Sequence, residues 1–112
     1  MASLNEAKYD KEKYKKSMEG AEMKIKDYRT QLAEVQRKVQ DAYIDAQNKI
    51  EAAKADGSKD NVLAARAAYK QYETMQKEMV ALQKRLEGEI RERAQAENNY
   101  NAAITKQDQL ER

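Results

Sequence analysis

The sequence predicts an all-α fold, a two-helix antiparallel coiled-coil hairpin with its turn centred on Gly57. Three observations point there: the composition of solvated helices, a heptad pattern in each half, and one short break between the halves.

Composition sets the class. Of 112 residues, 38% are charged and only 6% aromatic, and all seven aromatics are Tyr. A compact globule of this size needs more bulky apolar side chains, whereas long helices with a narrow apolar seam do not. There is no Pro, which would remove a helix hydrogen bond and clash with the preceding turn.

The first helix is expected at about residues 3–55. Stepping from Leu4 alternately by three and four reaches Ala53 through fifteen positions, of which thirteen are apolar or Tyr. Lys11 and Lys49 are the exceptions. The first member of each step of three is an a position and the second a d position. The turn is expected at about residues 56–60. Gly57 suits a left-handed helix-closing residue, and Ser58 or Asp60 suits the cap of the next helix.

The second helix is expected at about residues 60–111. Its seam runs from Ala65 to Leu110, and eleven of fourteen positions fit, with Glu89, Arg93 and Gln107 as exceptions. Folding the chain symmetrically about Gly57 makes facing residue numbers sum to 114. Every seam a position then meets a d position, as an antiparallel pair requires, and residues 1–112 form a single hairpin.

Flanking charges agree with that register. It sets Asp10 against Lys106, Lys24 against Glu92, Lys38 against Glu78 and Lys15 against Glu97. Each such surface pair contributes at most ~1 kcal/mol, so the pairs specify more than they stabilise. The open end carries the polar seam residues, and fraying or partner contact is expected there. Within the seam, either Glu89 and Arg93 neutralise each other or Ile90 turns inward in place of Glu89.

Function is read from what the seam leaves over. Tyr43, Ile50, Val62 and Tyr69 occupy e positions near the turn, with Tyr43 beside Tyr69 and Ile50 beside Val62. Ile44 and Leu63 add apolar surface. Contiguous exposed apolar side chains mark a contact site; alternatively they widen the seam, or a stutter after Val39 turns them inward. A second feature is a basic ridge, Lys70, Lys77, Lys84 and Arg91, at successive f positions. Glu73 and Glu87 sit four residues before Lys77 and Arg91, which favours a self-paired solvated face over a nucleic-acid or acidic-surface contact. The Tyr-interleaved basic start, Lys8 to Lys16, is expected to be a solvated helix end.

Catalysis finds no support. The chain has no His, no Cys and no Gly-rich phosphate loop, and a two-helix rod offers no concave pocket. No cofactor or metal is expected, and no enzyme. The net charge of +2 is shared evenly between the halves and gives no global pull toward nucleic acid or anionic membrane. With no apolar leader and no membrane-spanning run, a soluble and cytoplasmic protein is expected. The expected function is structural or adaptor: binding another protein, or itself as a homo-oligomer, through the turn-proximal edge.

In plan the hairpin is similar to the coiled-coil stalk proteins that sit on flagellar and type III secretion ATPases. It also resembles the hundred-residue hairpins exported by type VII secretion, although those carry a Trp-x-Gly turn where this chain has Asp56-Gly57-Ser58. Holdase chaperones with hairpin tentacles share the shape. The resemblance implies an alternative function as a secretion-machinery stalk or export chaperone.

Overall fold

A computed structural model describes residues 3–112. The fold is an antiparallel helical hairpin of α1 (Leu4–Ala55) and α2 (Lys59–Glu111), with no strand among the described residues. The seam lies where the heptads put it. Of the fifteen a and d positions of α1 only Lys49 is exposed, and of the fourteen of α2 only Leu110. Lys49 leaves the seam to pair with Asp45 one turn back, at 3.1 Å. Contacts that cross between the helices carry the expected register: Glu22 with Arg93, Lys24 with Glu89 and Tyr43 with Tyr72 have numbers summing to 115, 113 and 115.

Each end of α1 and the start of α2 are closed by short side chains. Ser3 accepts the Glu6 backbone N–H on its hydroxyl at 3.2 Å and the Ala7 N–H on its carbonyl at 3.1 Å. Ser58 is the cap of α2, its hydroxyl accepting the Asn61 N–H at 3.3 Å. Asp56 holds the turn in place. Its carboxylate accepts the Ser58 N–H at 3.2 Å, and the Asn61 side-chain amide donates back to the Asp56 carbonyl at 3.1 Å. The turn is thus three residues long, Asp56 to Ser58, shorter than the expected 56–60.

Gly57 departs from expectation. It does not take a positive φ, so α1 is not closed by a left-handed residue. The side-chain bonds of Asp56, Ser58 and Asn61 reverse the chain instead.

The chain divides into two compact units. One, the turn unit, is Arg29–Lys84, and the other, the terminal unit, is Arg85–Arg112 with the described residues up to Tyr28. In the turn unit the buried side chains are Ala46, Ala65 and Ala68. The larger seam residues, from Leu32 and Val35 to Met79 and Leu82, are half-buried. Two helices surround few long side chains, and in this unit only alanine methyl groups are buried between them.

The terminal unit buries Ala7, Ala21, Ile25, Ala96 and Ala103. By register, four of these alanines face long seam residues: Ala7 Gln107, Ala21 Arg93, Ala96 Met18 and Ala103 Lys11. A small residue lets the opposing side chain lie across it, and for Gln107, Arg93 and Lys11 the polar head then reaches water. Both helices run unbroken through the positions where fraying was expected. Glu89 keeps its seam position and Ile90 stays 42% exposed, so no inward turn of Ile90 occurs. The expected Glu89–Arg93 neutralisation is also replaced: Glu89 meets Lys24 at 3.8 Å, and Arg93 meets Glu22 and Glu97, both at 2.9 Å.

The flanking pairs differ from expectation as well. Lys24 reaches Glu89 and not Glu92, Lys38 turns to Glu34 on its own helix, and Glu97 is held by Arg93. Asp10 and Lys106 line one shallow depression beside Tyr14 without closing an ion pair.

Candidate protein-contact surface

Local sequence decides which side chains the turn unit leaves outside. Ala42 and Ala46 keep their seam positions, with Ala46 1% exposed, so the heptad runs through Val39 without a stutter. The e residue after each d position then points to one flank. Tyr43 is 46% exposed and Tyr69 48%, while Ile50 and Val62 are half-buried. Ile44 and Leu63, at the outward f positions, are each 50% exposed.

The aromatic geometry differs from simple e-to-e pairing. Tyr43 and Tyr69 each tilt against Tyr72, with ring centroids 5.4 Å and 6.1 Å apart. Tyr72 belongs to the seam opposite Ala42. The small Ala leaves room for its ring, and the hydroxyl accepts a hydrogen bond from Gln76 at 2.7 Å. The two exposed tyrosines are therefore braced on a fixed ring, in the tilted arrangement aromatic pairs prefer. Tyr72 was legible as a seam residue but not as the brace of this edge. The available signal was its spacing, three residues after Tyr69 and facing an Ala.

Ile50 and Tyr69 also border a shallow hollow of about 580 Å³, completed by Ala65, Arg66, Lys70 and Glu73. A second, of about 640 Å³, continues along α2 between Glu73, Gln76, Lys77, Met79 and Val80. Val80, 44% exposed, joins the apolar surface although the heptad reading did not single it out.

The basic ridge is outward-facing as expected. Lys70, Lys77 and Lys84 are exposed on the turn unit, and Arg91 is exposed on the terminal unit. The expected self-pairing is not formed: among the described residues no ion pair closes between Glu73 and Lys77 or between Glu87 and Arg91. At the chain start Lys13 lies 5.8 Å from the Tyr14 ring centre, and Tyr9 is 70% exposed. No helix among the described residues is long and apolar enough to cross a membrane. Comparison with known protein families, with curated proteins and with solved structures finds nothing that matches this chain.

Proposed function

We propose that the chain is a non-enzymatic coiled-coil contact module, which binds protein through the apolar edge beside its turn. One observation carries the reading: Tyr43, Ile44, Leu63 and Tyr69 are each about half exposed within a single unit, in a chain of which 38% is charged. Tyr43 and Tyr69 share one flank through Tyr72, and exposed apolar surface gathered in this way marks a contact site. The bracing by Tyr72 adds support, since an anchor held in place before binding loses less side-chain entropy on association.

Site-directed photo-crosslinking tests the reading. A photoreactive residue at Leu63 should give a discrete protein adduct in native extract. The same residue at Lys84, also outward on α2, should not. The adduct should vanish when Tyr43 and Tyr69 are replaced by Ser, with helicity by circular dichroism retained. Equal labelling at both positions, or an adduct indifferent to the tyrosines, would sink the reading.

A further inference from the structure

We propose that the occupant of this edge is a second copy of the chain, packed antiparallel about a two-fold axis into a four-helix bundle of two turn units. The inference rests on the contact-module reading and names its partner.

The edge is one side of a wider flank formed by e positions and the neighbouring b positions. On α1 the six e and b positions from Ala33 to Ile50 carry no charge. On α2 the six from Val62 to Val80 carry two, Arg66 and Glu73. Solvated flanks of coiled coils are where charges normally concentrate, so this one resembles an interface. Its two charges are of opposite sign and stand seven residues apart, so a two-fold pairing can set each against the other, while the exposed Lys70 and Lys77 at its rim keep their amines in water.

The hollows supply the register. The first is bordered on α2 by Ala65, Arg66, Tyr69, Lys70 and Glu73, and the second by Glu73, Gln76, Lys77, Met79 and Val80. Apart from the seam residues Ala65 and Met79 at their floors, the rims follow the i, i+3, i+4, i+7 spacing of a coiled-coil hole, and the two holes are one heptad apart. The flank also carries knobs one heptad apart, Val62 and Tyr69.

A two-fold axis between Tyr69 and Lys70 satisfies all of these at once. It places Arg66 of each copy against Glu73 of the other. It sets the second copy's Tyr69 over the first hole and its Val62 over the second, and the reverse holds by symmetry. The same axis crosses α1 beside Tyr43, which puts the braced tyrosines at the interface centre, where binding energy concentrates. The bundle would also close a unit that now buries nothing larger than Ala among its described residues.

Sedimentation equilibrium on the full chain tests the pairing. The expected mass is twice the 12.9 kDa of one chain. Arg66→Glu alone and Glu73→Arg alone should each weaken the dimer by about tenfold or more, because each sets like charges opposite one another twice. The double reversal should restore affinity to within about threefold of the parent, a rescue that a merely misfolded variant would not give. Single-chain mass at every concentration up to about 1 mM would overturn the inference. So would a dimer indifferent to the reversals, the signature of a hairpin opened and exchanged between chains. If the chain is monomeric while Leu63 still cross-links to a protein of different mass, the second copy fails and the contact-module reading stands. If neither a dimer nor an adduct forms, both fail.

Discussion

Arg93 joins Glu22 across the two helices: its Nε donates to Glu22 Oε1 at 3.0 Å and its Nη2 lies 2.9 Å from the same oxygen. The third arm of the guanidinium donates to Glu97 on its own helix at 2.9 Å. A cation at a seam position thus becomes a cross-helix tie, and Ala21 opposite leaves room for its stem. The hydrogen bond to Glu22 raises the Arg93 pKa above its ordinary value, with desolvation opposing it. A raised folded value means the contribution is complete below the unfolded pKa and lost only as pH rises through the folded one. Throughout the neutral range it is therefore constant. Arg93→Ala should lower the thermal midpoint modestly at low salt and by less at ~1 M salt, where the screening length falls to about 3 Å. Melts at two ionic strengths check this; a salt-independent loss would assign the effect to lost packing of the stem.

Gly57→Ala should leave the hairpin intact and raise its stability by about 0.4–1 kcal/mol. Gly57 has no positive φ, and an added Cβ would meet nothing nearer than the Ala53 carbonyl oxygen at 3.9 Å. That is ordinary van der Waals contact. The gain comes from the unfolded chain, which loses freedom when Gly is replaced. Urea midpoints check it, and a drop would mean that the turn needs a conformation only Gly adopts readily.

Ser58→Ala should cost about 1 kcal/mol, the ordinary value of a lost N-cap. The Asn61 N–H then loses its hydroxyl acceptor, while the strap from the Asn61 side chain to Asp56 remains. Ser58→Asp should recover most of the loss, because a carboxylate accepts the same bond and suits the positive end of the helix. Paired thermal melts of the two variants decide the point.

The fold was legible because backbone periodicity places short side chains without ambiguity. Ala46, Ala68 and Ala103 sit where the step of three and four puts them, and they are buried. Charge partners were not legible. Lys24 had Glu89 and Glu92 within reach, and Lys38 had Glu34 as well as Glu78. Exposed ion pairs contribute so little that the choice among them is nearly degenerate. The turn shows the same division: a break at Gly57 follows from composition, but its closure depends on Asp56, Ser58 and Asn61 bonding together. The apolar edge was visible residue by residue. Its bracing required knowing that Tyr43 and Tyr69 both incline toward Tyr72, and a heptad wheel does not carry ring orientation.

Glu89→Leu should stabilise the hairpin by about 1–3 kcal/mol. Glu89 sits in the seam at the level of Ile25, with its side chain 15% exposed. Its Oε2 is buried and has no hydrogen-bond partner, and its other oxygen is 3.8 Å from a Lys24 amine that is itself 62% exposed. Desolvation of the carboxylate is therefore repaid by one long ion pair, which solvent weakens. Leu restores an apolar layer against Ile25 and leaves Lys24 free to stay in water, so no buried charge is stranded by the change. The gain should appear as a higher urea midpoint at an unchanged slope, since little additional surface is exposed on unfolding. A lower midpoint would show that the polar layer contributes to pairing specificity, as single polar seam residues do when they penalise shifted registers. Cross-linking across the seam, with cysteines placed at Tyr28 and Leu86, would then report whether the Leu variant had slipped.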